Sequence, residues 1–117
     1  MTYEEIARVV EAWARAVAAR DMTAMEELVA PSLRESVVAR TRVIHASFRD
    51  VEVLVQHLVI EGDTAAWRWK LSGVHLAPIG GVHASGARKT IEGANFQRMR
   101  GGVVVDHWTV VDLAGLR

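Results

Sequence analysis

A chain of 117 residues, half of them apolar and none of them cysteine, is long enough for one self-sufficient core and offers no disulfide framework or thiolate chemistry. Fourteen basic and fourteen acidic residues cancel to a formal charge of zero, which argues against the concentrated positive face that nucleic-acid binding needs. The start, Met1-Thr2-Tyr3-Glu4-Glu5, lacks the basic and apolar regions of a signal peptide, and no apolar run approaches the roughly 18 residues of a membrane span. A cytoplasmic protein that binds neither nucleic acid nor membrane is expected.

Thr2-x-x-Glu5 is a capping box. It opens a helix with Ile6, Val9, Val10, Trp13, Ala14 and Val17 on one face and Arg8, Glu11, Arg15 and Arg20 on the other. A second box, Thr23-x-x-Glu26, predicts a short helix through Leu28 and Val29, closed by Pro31. Ser32-x-x-Glu35 predicts the cap of a third helix, in which Val37, Thr41, Ile44 and Phe48 share a stripe. From Val51 the period changes to two, with Val51, Val53 and Val55 alternating with Glu52, Leu54 and Gln56. Gly62-Asp63 predicts a two-residue hairpin turn. The next strand puts Trp67, Trp69 and Leu71 on one face, in phase with Gly73 and His75. A loop follows over 76–87, then strands near 88–99 and 103–111 joined by Gly101-Gly102. Helices followed by a strand meander, with no linker or repeat, predict one α+β domain over residues 1–117.

Few motifs carry chemistry on their own. The five histidines show no His-x-His, His-x-x-x-His or Glu-x-x-His spacing, so no metal site is expected. His45, His57 and His83 have no partner pattern. Gly80-Gly81 is a turn and not a phosphate cradle, and no Ser/His/Asp triad follows from spacing. No metal or organic cofactor is expected.

The order of signals after residue 48 is more specific. Phe48-Arg49-Asp50, Glu61-Gly62-Asp63, Arg68-Trp69 and Gly73-Val74-His75 are followed by Gly80-Gly81, Ser85-Gly86, Gly101-Gly102, Asp106-His107-Trp108 and Asp112. In that order the chain resembles the SnoaL-like polyketide cyclases, a branch of the superfamily that includes ketosteroid isomerase and nuclear transport factor 2. The resemblance implies a cone-shaped α+β barrel, with N-terminal helices packed on a strongly bent, mostly antiparallel sheet around an apolar pocket. It implies a cofactor-independent cyclase or isomerase of secondary metabolism, acting on a hydrophobic polyketide-like molecule. Epoxide hydrolase-type water addition and a non-catalytic binding or dimerisation module are the alternatives. The segment between Pro31 and Phe48 is short for the family, and relatives often continue past the position of Arg117. Both features imply a wider pocket mouth, or a site completed by another subunit.

The resemblance also orients the last two strands. The family's pocket histidine and aspartate fall at Asn95 and Thr109, neither of which matches. These two can hydrogen-bond a carbonyl but cannot cycle a proton near neutral pH. On the Asn95 side lie Gly93, Gln97 and Met99; His107 and Val111 share the side of Thr109. His75 and His107 are the proton-carrying candidates, although either can be a structural histidine. Asn95, Thr109 and Gln97 are the hydrogen-bonding candidates. Trp13, Val17, Trp67, Trp69 and Leu71 are expected walls. Glu35 stands where relatives often carry an aspartate at the mouth, or simply caps a helix after Ser32. Phe96, Trp108 and Val110 point outward and predict a homodimer or higher oligomer.

Overall fold

In the computed structural model, which describes residues 1–117, helix α1 spans Tyr3–Ala19. Thr2 Oγ1 accepts from the backbone N–H of Glu5 at 3.2 Å, as the capping pattern requires. The helix ends at Arg20, which is left-handed (φ 58°). Its guanidinium donates to the carbonyls of His45 and Phe48, each at 2.7 Å. His45 Nε2 lies 2.8 Å from the Val17 carbonyl. These contacts tie the end of α1 to the end of α3 and give His45 a structural role.

The next two helices start differently from expectation. Helix α2 (Met22–Glu27) is capped by Asp21, whose Oδ1 accepts from Ala24 N at 3.0 Å, and not by Thr23. Thr23 already lies inside the first turn, and Leu28 and Val29 lie beyond the helix. Pro31–Leu33 form a 3-10 turn that runs into α3 (Arg34–Ser47). Leu33, at the cap position, has helical torsions, so Ser32 is not placed to cap the third helix.

The strands are β1 (Phe48–Glu61), β2 (Thr64–His75), β3 (Arg88–Arg100) and β4 (Val103–Asp112). They form one antiparallel meander in the order β1-β2-β3-β4. β1 begins at Phe48, earlier than its alternating pattern predicts, because Phe48 pairs with His75 across an irregularity between Arg49 and Glu52. Asp50 in that irregularity has φ 54°, and His57 in a second has φ 50°. A third lies between Arg98 and Met99. Such bulges bend and twist a sheet locally. The sheet curls over the helices as a cone but does not close: β1 and β4 are its edge strands and do not pair with each other.

The core fills the concave side. Ile6, Val10 and Trp13 of α1 meet Trp67, Trp69 and Leu71 of β2, with Ile91, Met99 and Val104 from β3 and β4. One end is sealed by Val29 and Val104, which form a parallel bridge. Ala30 N donates to Val104 O at 2.9 Å and Val104 N to Leu28 O at 2.8 Å. On the convex side Phe96, Trp108 and Val110 are exposed, with Phe96 and Trp108 edge-to-face at 5.7 Å. No helix is long and apolar enough to cross a membrane.

Candidate functional site

A cavity of about 350 Å³ opens between α1, α3 and the inner face of the sheet. Twelve of its 18 lining residues are hydrophobic. Trp13 and Val17 come from α1, Val37, Val43 and Ile44 from α3, and Val53 from β1. Trp67, Trp69 and Leu71 form the β2 wall, and Ile79, Val111 and Leu113 complete the apolar lining. The polar side chains are Arg40, Thr41, Asn95, His107 and Thr109, and none is a carboxylate.

Two hydrogen-bonded chains cross the floor of the cavity from β2 to β4. In the first, Trp69 Nε1 donates to Asn95 Oδ1 at 3.1 Å, and Thr109 Oγ1 donates to the same oxygen at 2.7 Å. In the second, Trp67 Nε1 donates to Gln97 Oε1 at 3.0 Å, and Gln97 Nε2 lies 3.2 Å from His107 Nδ1. An indole can only donate, which settles both amide orientations. Asn95 therefore turns its amide NH2 away from Trp69 and Thr109. Gln97 turns its amide NH2 toward His107, so Nδ1 of that ring accepts and the ring proton sits on Nε2.

Gly93 makes room for this arrangement. It is the cross-strand partner of Trp69, and a Cβ on it would stand 2.1 Å from Cζ2 of the indole. A glycine here lets the Trp69 ring lie over β3 and reach Asn95.

His107 packs against Trp13 with ring centroids 4.9 Å apart. Burial, followed by the positive charge of Arg40, lowers its pKa from 6.5 to about 4, against a smaller opposing pull from Asp106. His107 is therefore neutral at pH 7. Protonation would also place a second donor on Nδ1, facing the Gln97 amide. The residue is a weak base and a fixed Nε2–H donor.

Of the sequence-predicted residues, Trp13, Val17, Trp67, Trp69, Leu71, Asn95, His107 and Thr109 are brought together around the cavity. Three are not. His75 is fully buried but does not line the cavity; its cross-strand partner Phe48 covers it, with ring centroids 5.3 Å apart. Neither ring nitrogen of His75 has a hydrogen-bond partner. Gln97 is buried behind the wall and acts through Trp67 and His107. Glu35 is exposed in the first turn of α3, off the face formed by Val37, Arg40, Thr41 and Ile44 that the cavity uses. Its charge there favours the helix N-terminus.

Arg40 is the charged lining residue that sequence reasoning missed, along with polar Thr41 and the apolar lining from α3, β1 and the segments after β2 and β4. The stripe of Val37, Thr41 and Ile44 marks the inward face of α3, and Arg40 lies one turn from Val37 and Ile44 on that face. No group of three His, Cys, Asp or Glu side chains is arranged to hold a metal ion.

A sequence profile described as SnoaL-like polyketide cyclase matches residues 3–117. No curated protein sequence matches the chain. Among solved structures, TsrD from Streptomyces laurentii superposes with a TM-score of 0.88 at 25% identity, covering 99% of this chain and 94% of its own. AclR from Streptomyces galilaeus, proposed to be a hydroxylase, gives 0.87 at 20% identity, with 98% and 94% covered. IdmH from Streptomyces antibioticus, proposed to be a polyketide cyclase, gives 0.81 at 24% identity, with 95% and 94% covered.

Proposed function

The chain belongs to the SnoaL-like polyketide cyclase family, and from that premise we propose that it is a cofactor-independent cyclase or isomerase of secondary metabolism, acting on a hydrophobic, polyketide-like molecule. The observation that carries this reading is the pair of preset donors, Asn95 Nδ2–H and His107 Nε2–H, in a cavity with mostly apolar walls.

Ring closure of a polycarbonyl chain joins an enolate carbon to a carbonyl carbon. The carbonyl oxygen takes the negative charge as its π bond breaks. Oriented donors at that oxygen stabilise the charge more in the transition state than in the ground state. The carbon proton lost on enolisation and the proton gained by the new hydroxyl balance, so no co-reactant is needed. Holding the flexible chain folded against Trp13, Trp67, Trp69 and Leu71 contributes orientation, worth several kcal/mol in well-aligned intramolecular reactions. With no carboxylate on the wall and His107 neutral, this site suits a substrate whose carbon acid already ionises readily.

The test is ring closure of an aryl aldehyde that carries a 1,3-dicarbonyl side chain at the ortho position, whose enolate carbon adds to the aldehyde carbon, followed by the ultraviolet spectrum of the cyclised product. Acceleration over buffer, lost in Leu71→Trp, supports the reading. Tight binding with no acceleration favours a non-catalytic binding module, to which the absence of a lining carboxylate also points. That absence tells against water addition of the epoxide hydrolase type.

Self-association is part of the proposal. Phe96, Trp108 and Val110 expose an apolar strip on the convex face, of which Trp108 is 57% exposed. A second copy of this chain is the proposed cover. Sedimentation at micromolar concentration should show a species above 12.9 kDa that Trp108→Ser dissociates. A monomer in the unsubstituted protein refutes it.

A further inference from the structure

The distribution of protons around the cavity says more about the ligand than the apolar walls do. Both threonine hydroxyls are spent within the chain: Thr41 Oγ1 donates to the Val37 carbonyl at 2.8 Å, and Thr109 Oγ1 donates to Asn95. Both amide and indole groups of the Trp69–Asn95 chain are oriented so that the remaining hydrogens belong to Asn95 Nδ2. His107 presents Nε2–H, since Nδ1 accepts from Gln97.

Arg40 adds a guanidinium to this set. The ion pairs of the chain are Arg49–Asp50, Lys70–Glu92 and Arg88–Glu52, and none includes it. Arg20, Arg34 and Arg88 bond backbone carbonyls, whereas Arg40, like Arg8, Arg15, Arg42, Arg98, Arg100 and Arg117, makes no side-chain bond; Arg40 is the one arginine that lines the cavity. Arg40 lies on the cavity-facing stripe of α3, exposed at the mouth, with no partner in the protein. A cation whose stem only covered apolar surface would be free to have an acidic neighbour. Here the whole lining lacks one.

We propose that the cavity takes an apolar molecule bearing an anionic oxygen group, a carboxylate or a stabilised enolate, with Arg40 as its counter-charge and Asn95 and His107 as neutral donors deeper in. This rests on the small-molecule reading above and narrows it to a substrate class. The three donors line one cavity, and no carboxylate in its lining competes for them. A guanidinium meets a carboxylate or enolate through charge-assisted bonds, which are about twice as strong as neutral ones. A neutral His107 has a consequence for selectivity. It binds the anion by its N–H while leaving Arg40 as the single positive charge, so the charge sits at the mouth and the apolar body goes inward.

The experiment is calorimetric titration with three probes of one shape: 2-naphthoate, 2-naphthamide and 2-naphthylmethylammonium. The expected order is naphthoate tightest and the ammonium weakest. Arg40→Gln should weaken naphthoate by about tenfold and leave naphthamide within about twofold, while Arg40→Lys should restore part of the loss. Equal affinity for the acid and the amide overturns the anion assignment and leaves the pocket reading standing. A preference for naphthoate that Arg40→Gln does not touch overturns the role of Arg40. No binding of any probe overturns the pocket reading together with this one. Because Arg40 is exposed and unpaired, its variants are not expected to unfold, and an unchanged Tm checks that.

Discussion

The two ends of β2 direct polar groups to the same inward side and meet opposite surroundings. At Trp67 and Trp69 the neighbouring strands offer acceptors, so each indole N–H is satisfied and its partner passes the constraint on to His107 or Thr109. At His75 the neighbour is Phe48, and both ring nitrogens are left without partners. Sequence parity treats these positions alike. What separates them is whether the next strand carries an amide at the right diagonal. The difference teaches that a site here is a property of three strands together and not of any one residue. It also sets the energetic expectations: unmaking a satisfied chain is costly, whereas replacing an unsatisfied group is not.

The contrast breaks most severely at Gln97. Gln97→Leu leaves the Trp67 N–H and His107 Nδ1 unpaired in a buried setting. A cost on the order of 3 kcal/mol is expected, from about 1–3 kcal/mol for each orphaned group. Urea denaturation measures it. A loss below about 1 kcal/mol would mean that water replaces the amide easily and that the tautomer of His107 is not fixed by Gln97.

The next effect is a pH dependence carried by His107. Its folded pKa, about 4, lies below the ordinary 6.5, so the unfolded chain binds the proton more readily than the native one. The stability this group contributes is fully present above pH 6.5. It is lost as pH falls from 6.5 toward 4 and changes little below that. His107→Leu should therefore flatten the stability profile between pH 6.5 and 4 relative to the unsubstituted protein. Parallel profiles would show that His107 titrates normally and is not neutral by constraint.

At the other end of β2 the sign reverses. His75→Leu exchanges a buried imidazole with two unpartnered nitrogens for an apolar side chain of similar size. A gain of roughly 1 kcal/mol in stability is expected, with ligand binding unchanged, because His75 does not line the cavity. Destabilisation together with weakened binding would restore His75 to the site.

How much of this was legible in the sequence depends on the kind of signal. The first helix and its Thr2 cap, the Gly62-Asp63 hairpin and the inward parity of Trp67 and Trp69 follow from local pattern, whereas the inward side of Asn95, Gln97 and His107 follows from the family resemblance, because both faces of the last two strands are mixed. Bulges at Asp50 and His57 do not follow, since non-glycine residues at positive φ carry no reliable sequence mark. The cap of α2 was misplaced by two residues because Asp21 and Thr23 are both good caps and only tertiary docking chooses between them. The wiring was hidden for a different reason. Tryptophan indoles on an inward face demand acceptors, and Asn95 and Gln97 stand on the diagonals from Trp69 and Trp67, two residues along β3 from the positions directly opposite, so the pairing follows only once the register is known. His75 and Glu35 lie off the cavity: parity and family position say where a side chain points, not what covers it.

Thr109 sharpens the comparison with the smallest expected effect. It occupies the position where the family resemblance expects an aspartate, paired with Asn95 where a histidine is expected. In place of a proton-cycling pair, the Thr109 hydroxyl donates to Asn95 Oδ1. That oxygen also accepts from Trp69, so the amide keeps its orientation when the hydroxyl is removed. Thr109→Val preserves the shape and leaves only one of two bonds to Oδ1 missing. The expected loss is about 0.5–1 kcal/mol of stability, with affinity for an apolar ligand within about threefold of the original. Asn95→Leu, by contrast, strands the Trp69 N–H and removes a donor from the cavity, and should cost several times more in both measurements. Equal losses for the two variants, or a larger loss for Thr109→Val, would place the hydroxyl itself on the ligand and make Thr109 more than a strut for Asn95.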